Sequence, residues 1–154
     1  MIKLLVMDVD GTLTNGKIFI GPDGEVMKAF DVKDGYAIAH ILPVYGIIPV
    51  IITGRESKIV MKRAEELKIK ELHQGVSDKL SKLKEVADKY GATSKEIAYI
   101  GDDINDLDCI KYCGWTGCPA DAIDVVKENS SFISRFNGGS GAVRECIDTI
   151  IAND

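Results

Sequence analysis

The sequence predicts an α/β fold: a Rossmann-like, doubly wound and mainly parallel sheet carrying a β-hairpin flap. Apolar runs of strand length alternate with stretches whose apolar residues recur at helical spacing, as expected for strands covered on both faces by connecting helices. Each run ends in small or polar residues, and ligands of such sheets collect at the carboxyl ends of the strands. With 154 residues, 45% hydrophobic and 28% charged, the chain suits one globular domain over residues 1–154 with a real core.

The elements follow in order. "IKLLVMDV" reads as a buried first strand that stops at Asp8 and Asp10. "GPDG", inside residues 16–35, is a strong turn signal between two strand-like runs and predicts a hairpin just after that strand. A helix is expected over about residues 35–45, shortened or kinked by Pro43. "IIPVIIT" is the second core strand. "ESKIVMKRAEELKI" sets Ile59, Val60, Ala64 and Leu67 at helical spacing, with a short strand after it. "DKLSKLKEVADKYG" does the same with Leu80, Leu83, Val86, Ala87 and Tyr90, and Gly91 suits the helix exit. "EIAYIG" and the weaker "CGWTGCP" read as further strands.

Composition excludes several classes. A net charge of −5 argues against nucleic acid or an anionic membrane as partner, so an anionic substrate needs local donors or a bound cation. Cys109, Cys113, Cys118 and Cys146 form no CxxC pair, and only His40 and His73 could join them on zinc. Reduced thiols in a cytoplasmic protein are expected. No leader-like segment or membrane-length apolar window stands out.

Four polar signals fall at the expected strand ends: Asp8 and Asp10, Thr53 and Gly54, Lys79 in "GVSDKL", and Asp102, Asp103 and Asp106 in "GDDIND". Singly, each has an ordinary explanation as a turn, a strand exit, a solvated lysine or a helix cap. Together, several carboxylates on one side of a sheet repel one another unless a cation holds them, and hard oxygen ligands select magnesium. A lysine and a threonine hydroxyl beside it would receive a phosphate dianion. One aspartate could then attack phosphorus and form an acyl phosphate. On a continuing strand, Asp8 and Asp10 would share a face.

In order and type these residues resemble the motifs of the haloacid dehalogenase-like phosphatases: "DVDGT", "IITGR", Lys79 and "GDDIND". The resemblance implies Asp8 as nucleophile and magnesium ligand. It implies Asp10 as general acid and then base, with its main-chain carbonyl on the metal. Thr53, Gly54 and Lys79 would bind the phosphoryl group, and Asp102 the metal. Asp103 would support the metal through water and Asp106 would orient neighbours. Only 42 residues lie between Asp10 and Thr53, and the hairpin and a helix fill most of them, so no cap domain is expected. The site would be open, or covered by another chain.

Over almost the full length, "GEVMKAFDVKDGYAI", "ELHQGVSDKL" and "GGSGAVREC" are similar to the 3-deoxy-manno-octulosonate 8-phosphate (Kdo-8-phosphate) phosphatase family. That resemblance implies a homotetramer acting on a small sugar phosphate, with hairpins and C-terminal segments of neighbours helping to cover each site. Arg55 matches the octulosonate enzymes, whereas a related nine-carbon branch tends to have glutamate there. Ser140 stands where the family often has arginine. Arg55, and Lys28 from a neighbouring subunit's hairpin, are candidate substrate contacts. Apolar Ile18, Phe19, Ile20, Val26 and Phe30 would make the hairpin a contact surface. Alternatives are a nine-carbon keto sugar acid 9-phosphate phosphatase and a non-catalytic oligomerisation module related to cytidylyltransferase-fused domains. A phospho-aspartate receiver is opposed by the second acidic cluster lying after the lysine.

Overall fold

The computed structural model of the chain describes residues 1–153. Strand β1 (Leu4–Met7) is buried at all four residues. An antiparallel hairpin follows, β2 (Phe19–Gly21) and β3 (Gly24–Met27), turned at Pro22 and Asp23. Next come α1 (Val32–Tyr36), β4 (Ile48–Ile52), α2 (Lys58–Glu66), β5 (Glu71–His73) and α3 (Lys79–Tyr90). The second half adds β6 (Ile97–Ile100), α4 (Leu107–Tyr112), β7 (Trp115–Cys118), α5 (Asp124–Asn129), β8 (Phe132–Ile133) and α6 (Ala142–Asn153).

Six strands form one sheet in the order β5-β4-β1-β6-β7-β8, and every neighbouring pair is parallel. Side chains alternate along a strand, so β1 serves both faces. Leu4 and Val6 join Val50, Ile52 and Tyr99 against Leu83, Val86, Ile110 and Val126 of α3, α4 and α5. Leu5 and Met7 join Ile51 and Ile100 against Ile38, and against Val60, Ala64, Val143 and Ile147 of α2 and α6. Truncating a side chain such as Leu5, which has no solvent exposure, typically costs ~2–5 kcal/mol. The strand that presents the site is thus held firmly from both sides.

The helix expected over 35–45 differs in form. It starts earlier, at Val32, because Asp31 caps it by accepting from the Lys33 and Asp34 amides at 2.8 and 3.1 Å. After Tyr36 the coil widens into a π turn over Ala37–Ile41, then tightens into a 3₁₀ turn over Leu42–Tyr45. Pro43 sits at the start of that tight turn, where its missing N–H is tolerated. Gly46, at φ 69°, ends it.

Register then sets the site. Met7 is level with Ile51 of β4 and Ile100 of β6. The chain runs outward from β1 to β4 and β5, then crosses back to β6 and leaves in the other direction. The crevice between β1 and β6 is therefore the topological switch point, where parallel sheets bind ligands. Residues just beyond β1, β4 and β6 emerge there together.

Candidate active site

Asp8 leaves β1 at this crevice, 5% exposed, its amide bonded to the Ile100 carbonyl at 3.1 Å. Lys79 is the first residue of α3, yet its side chain turns inward and is 2% exposed. A cation at a helix N-terminus opposes the helix dipole, so the site, not the helix, accounts for this lysine. Its Nζ lies 3.0 Å from Asp8 Oδ1 and 2.8 Å from Asp106 Oδ1. Asp106 has no solvent exposure, and both oxygens are used. Oδ1 also accepts from the Tyr99 hydroxyl at 2.6 Å, while Oδ2 accepts the amides of Asp102 and Asp103 at 3.0 and 3.2 Å. One buried carboxylate thus aims Lys79 and folds the loop that carries Asp102.

That loop meets the one after β1. Thr12 donates its hydroxyl to Asp102 Oδ1 at 3.0 Å. Gly11 has φ 90°, and a Cβ there would sit 2.0 Å from Asp102 Oδ2, so only glycine fits. The C-terminal glycine-rich loop backs this contact. A Cβ on Gly138 would fall 2.0 Å from the Gly11 carbonyl oxygen, and the Gly139 amide donates to Thr12 O at 3.2 Å.

β1 ends at Met7, and the amides of Thr12, Leu13 and Thr14 all turn back onto the Val9 carbonyl. Asp8 and Asp10 are therefore not successive positions of one strand face, as the two-residue spacing suggested. A turn, and not strand periodicity, brings both to the same open cleft, lined also by Thr53, Gly54, Arg55, Asp103 and Asn105. Thr53 is 2% exposed and donates its amide to His73 O at 3.0 Å. Asp103 is exposed and caps the turn into α4 through the Ile104 amide at 2.7 Å.

Lys28 departs most from expectation. Placed by sequence reasoning in a neighbouring subunit's site, it instead reaches back into its own. Its buried Nζ is 2.7 Å from Asp10 Oδ1 and 3.3 Å from Glu25 Oε2. Arg55 is half exposed and faces the same Glu25 at 3.4 Å. Phe30, expected on the exposed hairpin surface, packs partly against the core beneath Arg63. Sequence reasoning missed the roles of Tyr99, close in sequence to its partner Asp106, and of Glu25, three residues before Lys28. Thr12 and Gly138 lie inside "DVDGT" and "GGSGAVREC", but their partners Asp102 and Gly11 are distant in the chain.

The electrostatics fit a divalent cation. Oxygens of Asp8, Asp102 and Asp106 lie within 4.8 Å of one another. Burial, followed by repulsion from Asp8 and Asp106, pushes the Asp102 carboxyl up to about 8. Burial and then Asp106 raise Asp8, against the pull of Lys79. Burial works against the Lys79 ammonium, but Asp8 and Asp106 outweigh it and raise its pKa. Around the cleft, the carboxylates Asp8, Asp10, Glu25, Asp102, Asp103 and Asp106 outnumber the cations Lys28, Arg55 and Lys79. A bound divalent ion offsets that excess and favours the ionised carboxylates.

The family described as haloacid dehalogenase-like hydrolase matches residues 71–147. The 3-deoxy-D-manno-octulosonate 8-phosphate phosphatase KdsC of Escherichia coli (strain K12) is 39% identical over 150 residues, 97% of this chain and 79% of that protein. Its Yersinia pestis counterpart is 40% identical over 150 residues, covering 97% and 80%. Among solved structures, the Y. pestis phosphatase aligns with a TM-score of 0.94 at 40% identity, over 98% of this chain and 81% of that one. The Moraxella catarrhalis phosphatase, solved with magnesium ion, phosphate ion and a KDO molecule, also gives 0.94 at 40% identity, over 98% and 86%.

Proposed function

The chain belongs to the haloacid dehalogenase-like hydrolases and is a phosphatase, and from that premise we propose that it hydrolyses Kdo-8-phosphate through an aspartyl-phosphate intermediate. The observation that carries the chemistry is the buried Lys79 clamped between Asp8 and Asp106. A lone carboxylate would repel a phosphate dianion. Here an ammonium, held from behind by Asp106, which is itself fixed by the Tyr99 hydroxyl, stands beside the attacking oxygen.

In this reading Asp8 attacks phosphorus as the bond to the leaving oxygen breaks, and Asp10 gives that oxygen its proton. Asp10 then takes a proton from water, which attacks the phosphorus of the acyl phosphate, frees inorganic phosphate and restores Asp8. Thr53, Gly54 and Lys79 hold the phosphoryl oxygens throughout. Magnesium, held by Asp8, the Asp10 carbonyl and Asp102, with Asp103 and Asp106 in support, supplies charge neutralisation of the phosphoryl group.

The named substrates of the similar proteins, and an Arg55 guanidinium at the cleft rim, support a keto sugar acid phosphate. A homotetramer is supported by the hairpin: Phe19, Ile20, Val26 and Met27 are all more than half exposed, and clustered exposed apolar side chains of this kind mark contact surfaces. Among the described residues no helix is long and apolar enough to cross a membrane. Free Cys109, Cys118 and Cys146, all buried, suit a reducing cytoplasm. The test is phosphate release from Kdo-8-phosphate, a nine-carbon keto sugar acid phosphate and hexose phosphates, with magnesium and with EDTA. Faster turnover of hexose phosphates than of either sugar acid overturns the substrate class, and undiminished turnover in EDTA overturns the metal.

A further inference from the structure

The foot of the hairpin holds a charge cluster that the chemistry above leaves unused. Lys28 follows β3, and its side chain has no solvent exposure. Lysine is seldom buried without partners, and this one has two, Asp10 Oδ1 at 2.7 Å and Glu25 Oε2 at 3.3 Å. Glu25 is itself fixed: it accepts from the Ser57 hydroxyl and faces Arg55. Ser57 caps α2 through the Val60 amide and gives its own amide to Gln74 Oε1 at 2.8 Å. A line of contacts therefore runs from the start of α2 through Glu25 and Lys28 to the carboxylate of Asp10.

Asp10 sits in a turn, with its side chain 20% exposed. An aspartate so placed has rotamers to choose from, whereas proton transfer needs the acid within about 2.6–3.2 Å of the leaving oxygen. A buried ammonium tethered by a second carboxylate cannot follow Asp10 into alternative rotamers; it selects one. We propose that Lys28 is a positioning residue that holds the Asp10 carboxylate toward the leaving oxygen. The Glu25–Ser57 contact anchors Lys28 to α2. This inference rests on the acid–base reading of Asp10 given above. The hairpin then contributes to its own subunit's catalysis as well as offering an exterior surface.

A lysine that merely pins the hairpin down would, on removal, lower activity toward all esters alike. A positioning role acts only where the leaving group needs a proton. The experiment compares kcat/KM for a nitrophenyl phosphate, whose leaving group departs without protonation, and for a primary alkyl phosphate. It uses wild type, Asp10→Asn and Lys28→Met, with folding checked by circular dichroism. Lys28→Met should lose roughly ten- to a hundredfold more on the alkyl ester than on the aryl ester, the scale of a ~1 Å misplacement. Asp10→Asn should show the same discrimination, larger. Equal losses on both esters for Lys28→Met, while Asp10→Asn discriminates, overturn the positioning role alone. No discrimination by Asp10→Asn overturns the acid–base reading and this inference with it. Should Lys28→Met fail to fold, Glu25→Gln, which loosens Lys28 but keeps its charge, decides in the same way: unequal losses support the role and equal losses overturn it.

Discussion

Replacing Asp106 by asparagine tests the site's architecture without touching the proposed nucleophile. The carboxylate has four partners: Lys79 and Tyr99 on one oxygen, the Asp102 and Asp103 amides on the other. An amide oxygen can serve only one side. With that oxygen turned toward the two backbone amides, the substituted side chain would point its NH₂ at the Lys79 ammonium, donor against donor. Breaking a buried ion pair by removing one partner typically costs ~3–5 kcal/mol. At about 2–4 °C per kcal/mol for a chain this size, the melting temperature should fall by roughly 6–20 °C. The assay is thermal unfolding in metal-free buffer, completed as a cycle with Lys79→Met. Because the second substitution removes the ammonium left with Asp8 as its one carboxylate partner, the double variant should be more stable than the sum of the singles by at least about 1 kcal/mol. A drop under about 2 °C, or strict additivity, would refute the claim that Asp106 and Lys79 act as one unit.

Asp8→Asn should remove essentially all magnesium-dependent turnover, since an amide is a poor nucleophile; substantial residual phosphate release would exclude Asp8 as the attacking group. Arg55→Ala should reduce kcat/KM for the keto sugar acid phosphate about tenfold more than for a generic aryl phosphate, as loss of one charge-assisted contact; equal losses would confine Arg55 to holding Glu25. Asp34 gives a pH signature. Its Oδ1 accepts the Arg144 amide at 2.8 Å, its Oδ2 is buried without a partner, and burial, aided by Asp31 and opposed by the Arg144 contact and Arg63, lifts it to about 7. The unfolded chain releases that proton near pH ~4, so Asp34 lowers stability progressively as pH rises from about 4 to 7, with the full cost above that window. Relative to Asp34→Asn, the wild type should therefore be less stable at pH 8 than at pH 5 by denaturant unfolding. An identical difference at both pH values would show that Asp34 is already ionised at pH 5 in the folded state and that burial does not raise it.

What the sequence made legible was whatever repeats locally. β1, β4 and β6 are apolar on both faces, and their short length and β-branched residues mark them as covered parallel strands. The hairpin turn and the cap-bounded α3 were equally plain. The start of α1 was missed because Asp31 caps it from within a run read as strand. β8 and α5 are two and six residues long, too short to show a period. At the site, residue types and order were legible, but side-chain direction was not. Lys28 looks like any strand-end lysine, and only the fold brings Asp10, 18 residues earlier, to its ammonium. The same holds for Asp106: its spacing marks a helix start, while its partnership with Lys79 crosses 27 residues of chain.

The contact between the C-terminal glycines and the loop after β1 bears on when the molecule becomes competent. Gly138 and Gly139 press against Gly11 and Thr12, and Asp34 reaches the Arg144 amide across 110 residues. These are among the most sequence-distant contacts in the chain, and such contacts close slowly because loop entropy opposes them. A nascent chain can form the hairpin, α2 and α3 while residues 138–144 are still in the ribosome. The loop bearing Asp10 gains its final wall only after residues 138–144 have emerged. Hydrolytic activity should therefore lag behind the recovery of helical signal on refolding, and chains made only as far as residue 137 should not act on phosphate esters.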